Sequence, residues 1–185
     1  ERADPDEIGG LLFDLGSHLV DQALVLFGPA THVYAEVNVQ RAGAGVDDDS
    51  FIALTHASGV RSHLWMSATA AQVGPRFRVL GDRAAFVKYG LDPQEAELRA
   101  GARPRPGARW GVDPVERYGR LGADGSAEPV ATLDGDYGAF YAGVAAALRD
   151  GAAPPVAAQD AVATLAVLQA ARRSSDRREV VALAE

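Results

Sequence analysis

At 185 residues, with 48% hydrophobic and 23% charged side chains, the chain has the composition of a globular domain large enough to bury a core. Its net charge of −7 comes from interspersed acids and bases, without the basic stripe that nucleic acid or an anionic membrane surface requires, and no apolar run reaches the length of a membrane span. The absence of cysteine excludes disulfides, thiolate metal sites and cysteine nucleophiles, and fits a reducing, cytoplasmic compartment.

The polar residues 1–8, with a proline and no signal-peptide pattern, read as a lead-in. There is no initiating methionine and the first helix follows at once, so a piece of a longer polypeptide is expected, organised as a single domain over residues 1–185. That helix is predicted over Gly9–Gly28, loosened by Gly9-Gly10 and ended by Gly28-Pro29. At 3.6 residues per turn, Leu12, Leu15, Leu19, Val20, Ala23, Leu24, Leu26 and Phe27 share one broad side, and Asp14, Ser17, His18, Asp21 and Gln22 the other. Asp14 and His18 are four apart and His18 and Asp21 three apart, a spacing at which side chains on a helix meet. A histidine held and made more basic by carboxylates suits proton transfer near neutral pH. The same spacing also fits a solvated face with an acid favoured by the helix dipole.

Thr31–Gln40 alternates apolar and polar residues and predicts a half-buried strand with Val33, Ala35, Val37 and Val39 on one face. After a Gly-rich turn, strands over Ser50–Ala57 and Val60–Ala68 form an antiparallel pair joined at Ser58-Gly59. The run Asp47-Asp48-Asp49 leads into this pair. Consecutive residues of an extended segment point to opposite sides, and calcium-loop spacing is not met, so no metal site is expected. His32, His56 and His63 read as strand-face residues, with His56 and His63 neighbours across the hairpin and one of them able to line a pocket.

Arg76–Tyr89 predicts a second hairpin turning at Gly81-Asp82. From Gly90 to Gly125 the periodicity fails, apart from a short helix over Leu91–Arg99 opened by a proline and an acid. Long irregular insertions are commonly lids or binding loops. Lys88, Tyr89, Trp110 and Tyr118 supply the rings and cation that suit a sugar or polyol; equally, Trp110 can simply pin its loop. An edge strand over Ser126–Leu133, interrupted by Pro129, is followed by a helix over Tyr137–Arg149 capped by Asp134-Gly135-Asp136. Phe140, Val144 and Leu148 mark its expected buried side. A helix over Ala157–Ser174, with Ala161, Val162, Leu165 and Leu168 inward, and a short strand over Glu179–Leu183 close the chain. The sum is an α+β fold: a mostly antiparallel open sheet with helices on one face.

The stretch Gly9-Gly10, Asp14-Leu15-Gly16, His18, Asp21, Leu26-Phe27-Gly28, followed by Phe77-Arg78-Val79-Leu80-Gly81-Asp82, resembles the substrate half of the glucose-fructose oxidoreductase, inositol dehydrogenase and MocA family, loosely out to Leu183. The resemblance implies a glyceraldehyde-3-phosphate-dehydrogenase-like C-terminal domain and an upstream Rossmann domain, absent from this chain, that binds NAD or NADP. The glycine-rich fingerprint and the Glu-Lys-Pro motif of that half do not occur here. It further implies that His18 exchanges a proton with a substrate hydroxyl while Asp14 orients it. Asp21 is a lesser supporting candidate, and Lys88, Tyr89 and Trp110 are candidate substrate contacts. The reaction implied is nicotinamide-dependent oxidoreduction of a sugar, inositol or related polyol, with this piece inactive alone and a homodimer or homotetramer formed through the open sheet face. The alternative is a noncatalytic ligand-binding or scaffold module of the same fold.

Overall fold

A computed structural model describes residues 9–105 and 109–183; the polar lead-in expected over residues 1–8 lies outside them. The chain forms two compact units, Glu1–Ala71 with Val156–Glu185, and Gln72–Pro155. The class is α+β, as expected, but the strands divide between two four-stranded antiparallel sheets, one in each unit.

In the first unit, helix α1 (Leu15–Phe27) precedes β1 (Ala30–Asn38), β2 (Asp49–His56) and β3 (Arg61–Ser67), and α4 (Ala158–Arg177) and β8 (Val181–Ala182) complete it. The strand order is β3-β2-β1-β8. Pairing of Val33 with Leu54, Ala35 with Ile52, and Ser50 with Met66 puts these side chains on one face of the pleat, where all are buried. Leu12, Val20 and Ala23 from the α1 region and Val167, Leu168, Ala170 and Ala171 of α4 close the core over that face. Gly16 lets this contact close tightly, because a Cβ there would stand 3.1 Å from Met66 Sδ and 3.2 Å from a Leu168 methyl, and both would have to give way by a few tenths of an ångström. The opposite face carries Tyr34, Phe51, His63 and Trp65, and Trp65 is 73% exposed.

The regular part of α1 starts at Leu15 rather than Gly9, and Leu15 and Leu26 face outward. In α4 the inward face is likewise rotated from the predicted one. Val162 and Leu165 are exposed, while Thr164, Val167, Leu168, Ala170, Ala171 and Ser174 are buried. An alanine-rich helix has no strong apolar stripe, so close packing of small residues selects its face. The serines of that face bond to the backbone, while the buried Thr164 hydroxyl has no hydrogen-bond partner among the described residues. Beyond the two-residue strand β8, the edge of β1 donates Ala35 N–H to Ser174 Oγ and Val37 N–H to Ser175 Oγ, each at 3.0 Å, and Ser174 Oγ donates to the Glu179 carbonyl at 2.5 Å.

The second unit contains β4 (Phe77–Leu80), β5 (Ala85–Lys88), α2 (Pro93–Arg99), a 3₁₀ turn (Val115–Arg117), β6 (Gly119–Gly122), β7 (Glu128–Val130) and α3 (Tyr137–Asp150). Its sheet runs β4-β5-β6-β7, with the expected hairpin at Gly81-Asp82 and Pro129 in the edge strand β7. Strand β6 lies in the stretch read as irregular; four residues bounded by glycines carry no alternation to read. Asp136 caps α3 as predicted, accepting from Ala139 N–H, and Asp92, just before the proline that opens α2, caps that helix by accepting from Gln94 N–H. No residue of α3 is buried, and Phe140 and Leu148, placed inward by periodicity, are exposed.

Replacing Ser174 by alanine orphans the Ala35 N–H and the Glu179 carbonyl inside the first unit. The expected cost is about 1–3 kcal/mol in urea unfolding, whereas Leu165→Ala on the outer face should change stability by no more than about 0.5 kcal/mol.

Candidate functional site

Before α1 the chain makes one turn of its own. Asp14 N–H donates to the Gly10 carbonyl at 3.1 Å, and Gly16 N–H reaches back five residues to the Leu11 carbonyl at 3.0 Å, a widened turn that leads into the regular helix whose N-cap is Asp14. Helix starts leave N–H groups unpaired. Here Asp47, from the loop before β2, takes two of them: its main-chain carbonyl accepts Leu11 N–H at 3.1 Å, and its Oδ2 accepts Leu12 N–H at 2.7 Å. Ser50 Oγ donates to the same Oδ2 at 2.9 Å. Gly10 has φ +100°, and a Cβ on it would overlap the Asp47 carboxylate, so only glycine suits that position.

Asp14 occupies the N-cap position of α1, yet its carboxylate makes no capping bond. Asp14 and His18 are exposed and Asp21 is half-buried. Among the described residues, no hydrogen bond or ion pair joins Asp14, His18 and Asp21 to one another, which corrects the contact expected from spacing. Four-residue spacing permits such a contact without requiring it, and both side chains are exposed to water, which competes for them. What the turn presents is a carboxylate able to accept from a hydroxyl, and an imidazole able to accept or release a proton.

The three consecutive aspartates have three separate uses. Asp47 holds the turn before α1. Asp48 accepts from Gln40 N–H at 2.7 Å, Arg41 N–H at 3.1 Å and Arg41 Nε at 2.7 Å, and these donors, Gln40 first, hold its carboxyl below the usual range. Asp49 begins β2, opposite Asn38 and Ser67. His56 and His63 are not neighbours, because their side chains leave opposite faces of the sheet. His56 is buried, with Nδ1 2.7 Å from the Gly28 carbonyl and Nε2 2.8 Å from Ser62 Oγ, while the exposed His63 ring stands edge-on to Phe51.

Lys88, Tyr89 and Trp110 belong to the second unit. The three N–H groups of Lys88 are all directed at protein acceptors: Asp113 Oδ2 at 2.5 Å, the Arg117 carbonyl at 2.9 Å and Thr132 Oγ1 at 3.1 Å. None remains for a substrate hydroxyl. Burial pushes the Asp113 carboxyl up, but Lys88, Thr132 and Arg117 outweigh it and hold it below the usual carboxylate range. Trp110 donates Nε1–H at 2.8 Å to Oε1 of the fully buried Gln94, which also accepts Tyr137 N–H at 3.0 Å. Its loop is therefore pinned through the ring. Tyr89 is exposed. In the sequence Asp47 stands out only as one of three clustered acids, and Gln94 and Asp113 do not stand out; a glutamine following Asp-Pro is the one local signal that pair leaves.

Lys88→Met strands the buried Asp113 carboxylate, with an expected loss of about 3–5 kcal/mol in urea unfolding at neutral pH. Asp113 has a depressed folded pKa, so the stability it lends is complete above the unfolded carboxyl value and is lost as pH falls through the folded one. The gap between wild type and variant should accordingly narrow in acid.

Comparison with known proteins adds family information. The model of the GFO/IDH/MocA C-terminal domain matches residues 1–87. The chain is 36% identical over 178 residues to the scyllo-inositol 2-dehydrogenase (NADP(+)) IolW of Bacillus subtilis (strain 168), covering 94% of this chain and 49% of that protein. Against the uncharacterized oxidoreductase YdgJ of Escherichia coli (strain K12) it is 35% identical over 179 residues, covering 95% and 51%. The solved structure of the oxidoreductase yvaA from Bacillus subtilis superimposes with a TM-score of 0.89 at 34% identity, covering 99% of this chain and 54% of that one. The chain thus spans about half the length of the curated relatives it matches.

Proposed function

The chain belongs to the GFO/IDH/MocA oxidoreductase family as its C-terminal domain, and from that premise we propose that it is the substrate-binding and oligomerisation part of an NAD(P)-dependent oxidoreductase acting on a sugar, inositol or related polyol. The observation that carries this reading is the turn at the start of α1, which exposes Asp14 and His18 without spending either side chain on the fold. The name of the inositol dehydrogenase relative supports the substrate class and the nicotinamide cofactor.

Oxidation of a secondary alcohol removes a hydride from carbon and a proton from the attached oxygen. A nicotinamide, held by a dinucleotide-binding domain elsewhere in the whole protein, takes the hydride when bound. His18 accepts the proton as the C–H bond breaks, and returns it in the reductive direction. Asp14 accepts a hydrogen bond from a substrate hydroxyl and so fixes which carbon lies beside the imidazole. Asp21, one turn beyond His18, supports from the same helix.

The oligomerisation role rests on the uncovered face of the first sheet. Phe51 and Trp65 pair there with ring centroids 4.4 Å apart, and a second copy of the chain would cover them.

In the full-length polypeptide, assayed with inositols and sugars and either nicotinamide, His18→Asn should lower kcat by about 10²–10⁴-fold and leave dinucleotide affinity unchanged. Retained turnover, or an equal loss of dinucleotide affinity, would refute the assigned role. Trp65→Glu should shift the sedimenting species toward monomer; an unchanged assembly would move the interface elsewhere.

A further inference from the structure

Helix starts are normally capped from within, by a side chain at the N-cap itself. Asp14 stands at that position and does not do it. The turn ahead of it is held instead by Asp47, 35 residues from Leu12 along the chain, whose side chain is 4% exposed. Three features show how tightly this contact is made. The Leu12 N–H to Oδ2 bond, at 2.7 Å, is charge-assisted and shielded from water. The neighbouring Leu11 N–H bonds the Asp47 carbonyl, so the turn is held at two successive residues. Gly10 leaves no space between the turn and the carboxylate. The anchor is itself braced. Ser50, the second residue of the central strand β2, donates to Oδ2, and Arg172 Nη2 of α4 stands 3.7 Å from Oδ1 with its guanidinium over the Phe13 ring.

We propose that Asp47 is a positioning residue for the Asp14–His18 pair: by accepting the Leu11 and Leu12 N–H groups it ties the turn ahead of α1 to β2, and with it the helix start that carries the Asp14 carboxylate and the His18 imidazole. The inference rests on the functional reading above, since it presumes that Asp14 and His18 meet the substrate. Asp47 itself touches neither substrate nor cofactor. Its contribution is geometric, and a displacement of about 1 Å at a reacting group can cost on the order of 100-fold in rate.

The test uses the full-length polypeptide with the substrate and nicotinamide on which wild type turns over. Asp47→Ala should lower kcat by about 10- to 100-fold, with dinucleotide affinity unchanged, displaced His18 ring resonances and faster hydrogen exchange at the Leu12 amide. Asp47→Asn keeps a carbonyl oxygen to accept the Leu12 N–H and should recover most of the rate. Ser174→Ala weakens the same unit away from the turn, and should leave both kcat and the His18 resonances where they are. If Asp47→Ala does not fold, Asp47→Asn and Ser50→Ala carry the test, with Ser50→Ala giving a smaller loss of the same kind. The proposal is overturned if the Asp47 variants keep wild-type kcat and unmoved His18 resonances, or if Ser174→Ala reproduces their effects. Should wild type oxidise none of the polyols, the functional reading fails, and the His18 resonances and Leu12 exchange still decide whether Asp47 holds the turn.

Discussion

The contact between the Asp47 carboxylate and the Leu12 N–H joins the start of α1 to the sheet of the first unit. A helix packed by apolar side chains alone can slide or rotate by fractions of a turn at modest cost, because dispersion contacts have little direction. A charge-assisted hydrogen bond inside the protein is directional, and losing it leaves a buried acceptor without a donor. The position of α1 along the sheet is therefore set at its first turn, and the burial of Leu12, Val20 and Ala23 follows from that setting. The requirement for glycine at position 10 follows from it as well.

Small residues solve the packing on the other side of the same core. Gly16, Ala170 and Ala171 bring α1 and α4 close to the strands, at the price of little apolar area per residue. Close approach brings Ser174 and Ser175 within reach of the β1 backbone, where they accept the N–H groups that the two-residue strand β8 leaves unpaired. The helix thus completes the strand edge that it covers, a way of removing an edge open to further pairing. In the second unit, where few side chains are fully buried, polar hubs take over. Lys88 with Asp113, and Gln94 with Trp110 and Tyr137, connect residues far apart in sequence through hydrogen bonds.

The part of the fold legible in the sequence is the part governed by near neighbours. Alternation in Thr31–Gln40, the turns at Ser58-Gly59 and Gly81-Asp82, the proline that opens α2 and the cap at Asp136 each depend on a few adjacent residues, and each element forms where it is expected. The pair Asp14 and His18 stood out through a motif, and the family is the one the motif suggested. The inward faces of α3 and α4 were misjudged because alanine satisfies a helix in any orientation, leaving the choice of face to what lies beneath it.

By itself, then, the sequence determined the order and type of most elements, the family, and the two side chains that stand at the mouth of α1. Only the tertiary structure decided that no hydrogen bond or ion pair joins those two side chains, that the Lys88 ammonium is taken up by Asp113 and its neighbours, and that Asp47 holds the turn. The physical reason is range. Propensity, alternation and capping act over a few residues and leave a trace in local order, whereas a hydrogen bond between residues 12 and 47, or 35 and 174, depends on where two distant segments are brought and on nothing in the sequence beside either one.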